Sequence, residues 1–378
     1  MITMLLTAGT TGLLQKLSAL QQQSSSHKAL IGFDGYVDLI QKAVQSSAAN
    51  DREYYHSLND IGEHIAAAAG KSAQIELRTI TTKLGGNAPI MANALAQLGT
   101  ANYCVGTMGY PQLHEVFQQM HHRCTVLSVG EPAKTNALEF EDGKLILSEL
   151  GTFEQFDLNS ILRLKGKDFL DKPLKESKLI AMVDWTNLPH CTQLWKQMHA
   201  HVNQLGLTEK IYFFDLCDPS KKTNLEIREV LQVISRFTEL GTTILGLNEN
   251  EALKVYYALH GVNPLDGEHI AAIHTDDLTA VTQFIFNYVK TDAVVVHPVD
   301  RSLLVTKKGV ITLPGKVVSH PKILTGGGDN LNAGFCFGLL NHFSLEESVL
   351  LGMATSGAYV QNGCSPTVSD LITYIEAL

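Results

Sequence analysis

Short apolar runs recur along the chain at residues 29–33, 179–183, 211–214, 243–247 and 293–296, and the stretches between them mostly place apolar residues at helical spacing. Brief continuous apolar runs between amphipathic helices are how buried parallel strands read, because helices cover both faces of such a sheet. The pattern predicts a doubly wound α/β domain. Two regions depart from it. Residues 73–83 alternate polar and apolar side chains, and 135–140 with 144–150 flank Asp142-Gly143, a strong turn dipeptide. They predict a separate small β-sheet, drawn from segments within about 36–83 and 103–150. A second hairpin, 303–306 and 310–313 around Lys308-Gly309, leads into a glycine run. At the other end, residues 13–20 space their leucines as a helix does and give way to a Gln/Ser stretch. This predicts a peripheral helix and joint over 1–26, ahead of one domain over 27–378.

Composition narrows the function more than the fold. A chain of 378 residues with 45% apolar and 18% charged residues buries a large core. A formal charge of -9 argues against broad nucleic-acid or anionic-membrane binding and favours small-molecule chemistry. The six cysteines form no C-x-x-C pair, so neither a zinc site nor a disulfide framework is indicated and a reducing cytoplasm fits. No apolar run reaches membrane-spanning length, and the first residues lack the charged start and long apolar block of a secretory signal.

The glycine run is the most informative motif. Gly326, Gly327 and Gly328 run into Asp329, which opens an apolar helix, so backbone N–H groups converge on one point at the positive end of a helix dipole. That is an anion site, and phosphate is the expected anion. Asp329 would repel a phosphate as a bystander; it makes sense as the group that takes the proton of an attacking hydroxyl. The alternative is a helix cap. Gly85-Gly86-Asn87 precedes another helix, where glycines permit close approach of a ligand and Asn87 offers a donor and an acceptor to a hydroxyl. The alternative there is an Asn cap with Pro89 in the first turn. Asn248 and Glu251 lie three apart at the start of a third helix, placed either to hold waters of a Mg²⁺ ion or to form a capping box. Gly70-Lys71-Ser72 is not a phosphate loop, because Ile65 stands where the first glycine belongs. The pairs His121-His122 and His190-Cys191 read as structural.

Taken in order, these segments resemble the PfkB carbohydrate kinase family of ribokinase-like sugar and nucleoside kinases. Gly85-Gly86-Asn87 with residues 94–99 is similar to its first signature, residues 105–109 to the short glycine segment that follows, residues 248–251 to its N-x-x-E element, and residues 325–335 to its second signature. The resemblance implies a ribokinase-like αβα three-layer domain with a mostly parallel central sheet and a small β lid. It implies ATP with Mg²⁺ as cofactors and a small sugar or nucleoside as acceptor. By position it makes Asp329 the catalytic base and the N–H groups of Gly326, Gly327 and Gly328 an anion hole. Gly85, Gly86 and Asn87 would hold the acceptor, together with an acidic residue after the first strand, Asp38 or its rival Asp34. Asn248 and Glu251 would manage Mg²⁺ through water, with Thr325 and Gly363 on the nucleotide side. A homodimer through the lid is also implied.

Three departures stand out. Lys322-Ile323-Leu324 offers no carboxylate where the family often places a monovalent-cation ligand, which removes the basis for expecting potassium activation. His297-Pro298 replaces the start of a glycine turn that normally meets the nucleotide, and Asp184-Trp185-Thr186-Asn187 replaces a plainer segment. The expectation is an ATP-dependent kinase for a sugar hydroxyl. Its alternatives are a nucleoside kinase, which a pocket containing Tyr36 or Trp185 would favour, and a non-catalytic sugar or nucleotide sensor.

Overall fold

The computed structural model describes residues 2–21, 27–48, 51–263, 275 and 277–377. A nine-stranded sheet runs in the order β14-β13-β12-β11-β10-β9-β1-β5-β6. Its strands are β1 (Lys28–Gly32), β5 (Asn102–Gly106), β6 (Cys124–Ser128), β9 (Ser177–Met182), β10 (Lys210–Asp215), β11 (Gly241–Asn248), β12 (Ala293–His297), β13 (Arg301–Thr306) and β14 (Gly309–Pro314). Neighbours from β12 through to β6 pair in parallel, whereas β13 pairs antiparallel with both β12 and β14.

Successive side chains of a strand point to opposite faces, and here the two faces feed two cores. Leu30, Ile180, Tyr212, Phe214 and Leu245 enter one core with the helices Cys191–Gln204, Asn224–Arg236, Glu249–Leu259 and Leu278–Val289. Ala29, Ile31, Leu179, Ala181, Phe213 and Ile244 enter the other, with the helices Asn87–Gln97, Gly327–Leu340, Leu345–Asn362 and Val368–Glu376. Three αβα layers result. The N-terminal helix Ile2–Gln21, expected to be peripheral, buries Leu13 and Leu17 in this second core, and Lys16 pairs with Glu347 at 2.7 Å.

A five-stranded small sheet projects from the large one: β2 (Tyr36–Ala48), β3 (Asp51–Tyr54), β4 (Leu77–Gly85), β7 (Ala133–Glu139) and β8 (Lys144–Glu149). The central strand β2 takes β4 antiparallel on Tyr36–Ala43 and β7 parallel on Tyr36–Gln41, and β8 completes the hairpin with β7. Ala43, Tyr55, Ile61 and Leu138 form a core of their own where the helix Leu58–Ala67 packs on this sheet. Residues 102–106 and 124–128 extend the large sheet beyond β1. β5 is buried along its whole length, as befits a strand covered on both faces.

Candidate active site

Open parallel sheets collect ligands beyond the carboxyl ends of their strands. At that edge Asp34 follows β1, Asp184 follows β9, Asp215 ends β10, Asn248 ends β11 and His297 ends β12. The helix Gly327–Leu340 starts at the same edge, anchored by Asn332, whose Nδ2 donates to Asp215 Oδ2 at 2.7 Å.

The glycine turn has the backbone that its sequence predicts. Gly326 takes φ +88°, a left-handed value that favours glycine, and caps the helix; the peptide N–H and the side-chain Nδ2 of Asn330 both donate to its carbonyl, at 3.0 and 2.9 Å. Tyr359 Oη donates to the Thr325 carbonyl at 2.8 Å, and the same helix ends at Gly363, whose N–H donates to Tyr359 O at 2.8 Å. Gly363 therefore reaches the turn through Tyr359. The N–H of Gly327 donates to Leu324 O at 3.2 Å, while those of Gly328 and Asp329 meet no acceptor among the described residues. Free donors at a helix start are what an anion needs.

Asp329 and His297 are both half-buried at this edge, each keeping solvent-reachable surface. Burial first, then the negative charges of Asp215, Asp34, Asp184 and Glu251, push the Asp329 carboxyl well above the usual carboxylate range. Burial alone drives His297 down to about 4, so its imidazole is neutral. A methyl placed on Gly328 would stand 3.9 Å from His297 Cε1, which sets this ring beside the turn.

Asn248 and Glu251 form a reciprocal capping box: Glu251 N–H donates to Asn248 Oδ1 at 2.9 Å, and Asn248 N–H and Nδ2 donate to the Glu251 carboxylate at 2.9 and 2.7 Å. Glu251 is buried, and burial followed by the charge of Asp215 raises its carboxyl to about 8. Among the described residues no three His, Cys, Asp or Glu side chains converge as metal ligands. Asn248 Oδ1 and the Glu251 carboxylate are hard oxygen donors, the ligand type that suits Mg²⁺.

The two candidate acceptor acids fare differently. Asp34 is fully buried and accepts from the backbone N–H groups of Asn87 and Ala88 at 2.7 and 2.8 Å. It caps the helix Asn87–Gln97 in place of Asn87, whose side chain makes no hydrogen bond among the described residues. Asp38 lies on β2, half-buried, with its carboxyl raised to about 6 by burial against the opposing pull of Thr135, Lys144 and Lys83. A Cβ on Gly85 would collide with that carboxylate, so this glycine makes room for Asp38. Gly86 at φ +100° turns the chain into the helix.

Asp184 is buried in a left-handed conformation, φ +56°, and accepts from Tyr36 Oη at 2.9 Å and Asn187 Nδ2 at 2.6 Å. Burial raises its carboxyl to about 6. Trp185 is fully buried and donates to Thr192 Oγ1 at 2.8 Å. Tyr36 is 7% exposed. Both rings belong to the first of the two cores.

Sequence reasoning missed Asp215 and Lys144 altogether, and treated His297 and Asp184 only as departures. Each of Asp184, Asp215 and His297 is a polar residue ending or closely following an apolar strand run, a signal that the strand-end rule makes readable. Lys144 offered no such signal, for its partner Thr325 lies 181 residues away.

A large mostly parallel sheet between helical layers, a small sheet beside it and a glycine turn opening a helix at the strand ends define a ribokinase-like kinase fold. Solved structures agree: the chain is similar to adenosine kinase from Sinorhizobium meliloti (TM-score 0.63, 18% identity, covering 94% of this chain and 100% of that one). It is also similar to Arabidopsis thaliana ribokinase complexed with ribose and ATP (TM-score 0.59, 14% identity, 93% and 99% covered). At sequence level, residues 12–377 match the model of the prokaryotic ketohexokinase family, and the chain belongs to that family of carbohydrate kinases. A ketohexokinase from Haloferax volcanii is 24% identical over 360 residues, 93% of this chain and 92% of the relative. No helix among the described residues is long and apolar enough to cross a membrane.

Proposed function

We propose that the protein transfers the terminal phosphoryl group of ATP to a hydroxyl of a ketohexose, with Asp329 as the base. Asn248 and Glu251 would hold Mg²⁺ through its waters, and the ion when bound would supply charge neutralisation. The N–H groups at Gly326–Gly328 meet the anion; those of Gly328 and Asp329 meet no acceptor among the described residues, and that of Gly327 would exchange its bond to Leu324 for one to phosphate. Asp38, Gly85, Gly86 and the uncommitted Asn87 side chain hold the acceptor. Thr325 and Gly363 border the nucleotide side.

The observation that carries this reading is the half-buried Asp329 at the helix start, beside main-chain donors that meet no acceptor among the described residues. A carboxyl raised by burial and neighbouring charge is a better proton acceptor than an ordinary aspartate, provided an incoming cation keeps it ionised. The buried positions of Trp185 and Tyr36 favour a sugar over a nucleoside. The edge strand β4 exposes Leu77 and Ile80, which supports pairing of lids in a homodimer.

The test is nucleoside-diphosphate release against a panel of ketohexoses, aldoses and nucleosides, comparing wild type with Asp329→Asn. The variant is expected to keep nucleotide binding and lose roughly 10²–10⁴-fold in kcat, the usual contribution of a positioned base. Wild-type rate in the variant, or release that no acceptor stimulates, would exclude the assignment.

A further inference from the structure

At the tip of the lid a lysine side chain reaches the glycine turn. Lys144, first residue of β8, donates from Nζ to Thr325 Oγ1 at 3.3 Å and pairs with Glu139 on the facing strand at 3.1 Å. The register of the small sheet aligns Asp38 with Thr135, Thr135 with Ser148, and Glu139 with Lys144. Side chains two apart on a strand share a face, so Asp38, Glu139 and Lys144 emerge on one side of the sheet, and the contact to Thr325 identifies it as the side turned to the glycine turn. The hairpin is braced from behind: the N–H of Leu58 donates to Asp142 at 2.9 and 3.2 Å, and Glu141 N–H donates to His56 O at 2.9 Å. Lys144 thus sits on a supported turn and spans from the sheet that carries Asp38 to the residue that enters the anion site. Glu139, on the same hairpin, is a second partner of the ammonium.

We propose that Lys144 is a positioning residue for phosphoryl transfer, which links closure of the lid over the acceptor to the arrangement of the glycine turn by holding the Thr325 hydroxyl. The role rests on the kinase reading above. When the lid lifts, the bond to Thr325 breaks and the turn loses its outer support; when the lid closes on an acceptor beside Asp38, the turn is set for the nucleotide. A device of this kind limits transfer to water in the open state.

The experiment compares Lys144→Met, Lys144→Arg, Thr325→Val and the Lys144→Met/Thr325→Val double variant in ketohexose phosphorylation, with ADP affinity by calorimetry and melting temperature as controls. Lys144→Met is expected to lower kcat by about tenfold or more, with ADP affinity within about twofold of wild type, because what it disturbs is a step gated by the lid. Lys144→Arg recovers most of the rate. The double variant is no slower than the worse single variant, since two residues sharing one contact are not additive. If Lys144→Met matches wild type, if arginine rescues nothing, or if the two losses add, the role is overturned while the kinase reading stands. A wild-type chain that phosphorylates no acceptor overturns both.

Discussion

Asn332 Nδ2 lies 2.7 Å from Asp215 Oδ2, a buried bond that ties the helix carrying Asp329 to the end of β10. The other oxygen of Asp215 accepts the Cys217 N–H at 2.8 Å, so each carboxylate oxygen has one donor. After burial, the same charge does most to raise the Asp329 carboxyl. Asp215→Asn removes that charge and turns an amide NH₂ toward one of two donors. A buried polar group left unmatched costs about 1–3 kcal/mol, so the variant is expected to melt at lower temperature. Its surviving activity carries a second signature. With one negative neighbour gone, Asp329 ionises more readily, and the acid limb of the kcat/KM profile moves to lower pH. A limb that stays put would show that Asp329 does not set it.

Asp329 also predicts an effect on stability that needs no turnover. Its folded-state carboxyl is raised above the unfolded value, so between the two the folded chain binds the extra proton. The associated stability is therefore present at low pH and lost as pH rises through the folded value. Asp329→Asn is nearly isosteric and cannot ionise. The nucleotide-free variant is expected to melt above wild type near neutral pH, with the gap closing toward pH 4 where wild-type Asp329 is protonated. Thermal melts across pH check it, and equal melting curves throughout would contradict the crowding of negative charge around this residue.

Asp34 and Asp38 are expected to separate on substitution, the first as a structural acid and the second as a contact to the acceptor. Asp34→Ala leaves the N–H groups of Asn87 and Ala88 without their carboxylate in a buried site, at about 1–3 kcal/mol for each donor. Its melting temperature should fall sharply. Asp38→Asn, on the half-buried face of the lid, should leave the melt nearly unchanged and raise KM for the sugar. Losing a hydrogen bond to a charged group is worth about 1.5–3 kcal/mol, or roughly 10- to 150-fold in affinity. The reverse pattern would make Asp34 the acceptor contact.

The parallel core was legible because its physics is local: runs such as 179–183 and 211–214 are apolar throughout, as strands covered on both faces must be, and β9 and β10 lie there. The hairpin around Asp142-Gly143 was legible for the same reason, since the turn dipeptide fixes it. β2 was not. Tyr36–Ala48 mixes Gln, Lys and Ser among its apolar residues because it straddles the cleft and the small core, and a bulge between Ile40 and Gln41 breaks its alternation. In the candidate site, Asp329 and the glycines stood out as a contiguous motif. The choice between Asp34 and Asp38 did not, because it depends on which carboxylate meets the start of a helix 53 residues on.

Gly326 and Gly328 occupy one turn and are expected to fail differently when replaced by alanine. At Gly326 a Cβ would stand 2.9 Å from Tyr359 Oη and 3.4 Å from Ile90 Cγ2, and φ +88° is itself unfavourable for alanine. Left-handed backbone costs about 1–2 kcal/mol for a residue with a Cβ, and displacing Tyr359 also loses its bond to Thr325. Gly326→Ala should therefore lower both melting temperature and activity. Gly328 is already helical and open: the nearest atom to an added Cβ is His297 Cε1 at 3.9 Å, an ordinary contact. Gly328→Ala should fold with an unchanged melt, yet the methyl stands where a phosphate approaching the free N–H groups must pass. A displacement of about 1 Å in a reacting group can cost up to roughly 100-fold. The measurement is the pair of melts beside nucleotide affinity and kcat for each variant; full activity in Gly328→Ala would place the anion away from this turn and leave Gly326 with a purely structural role.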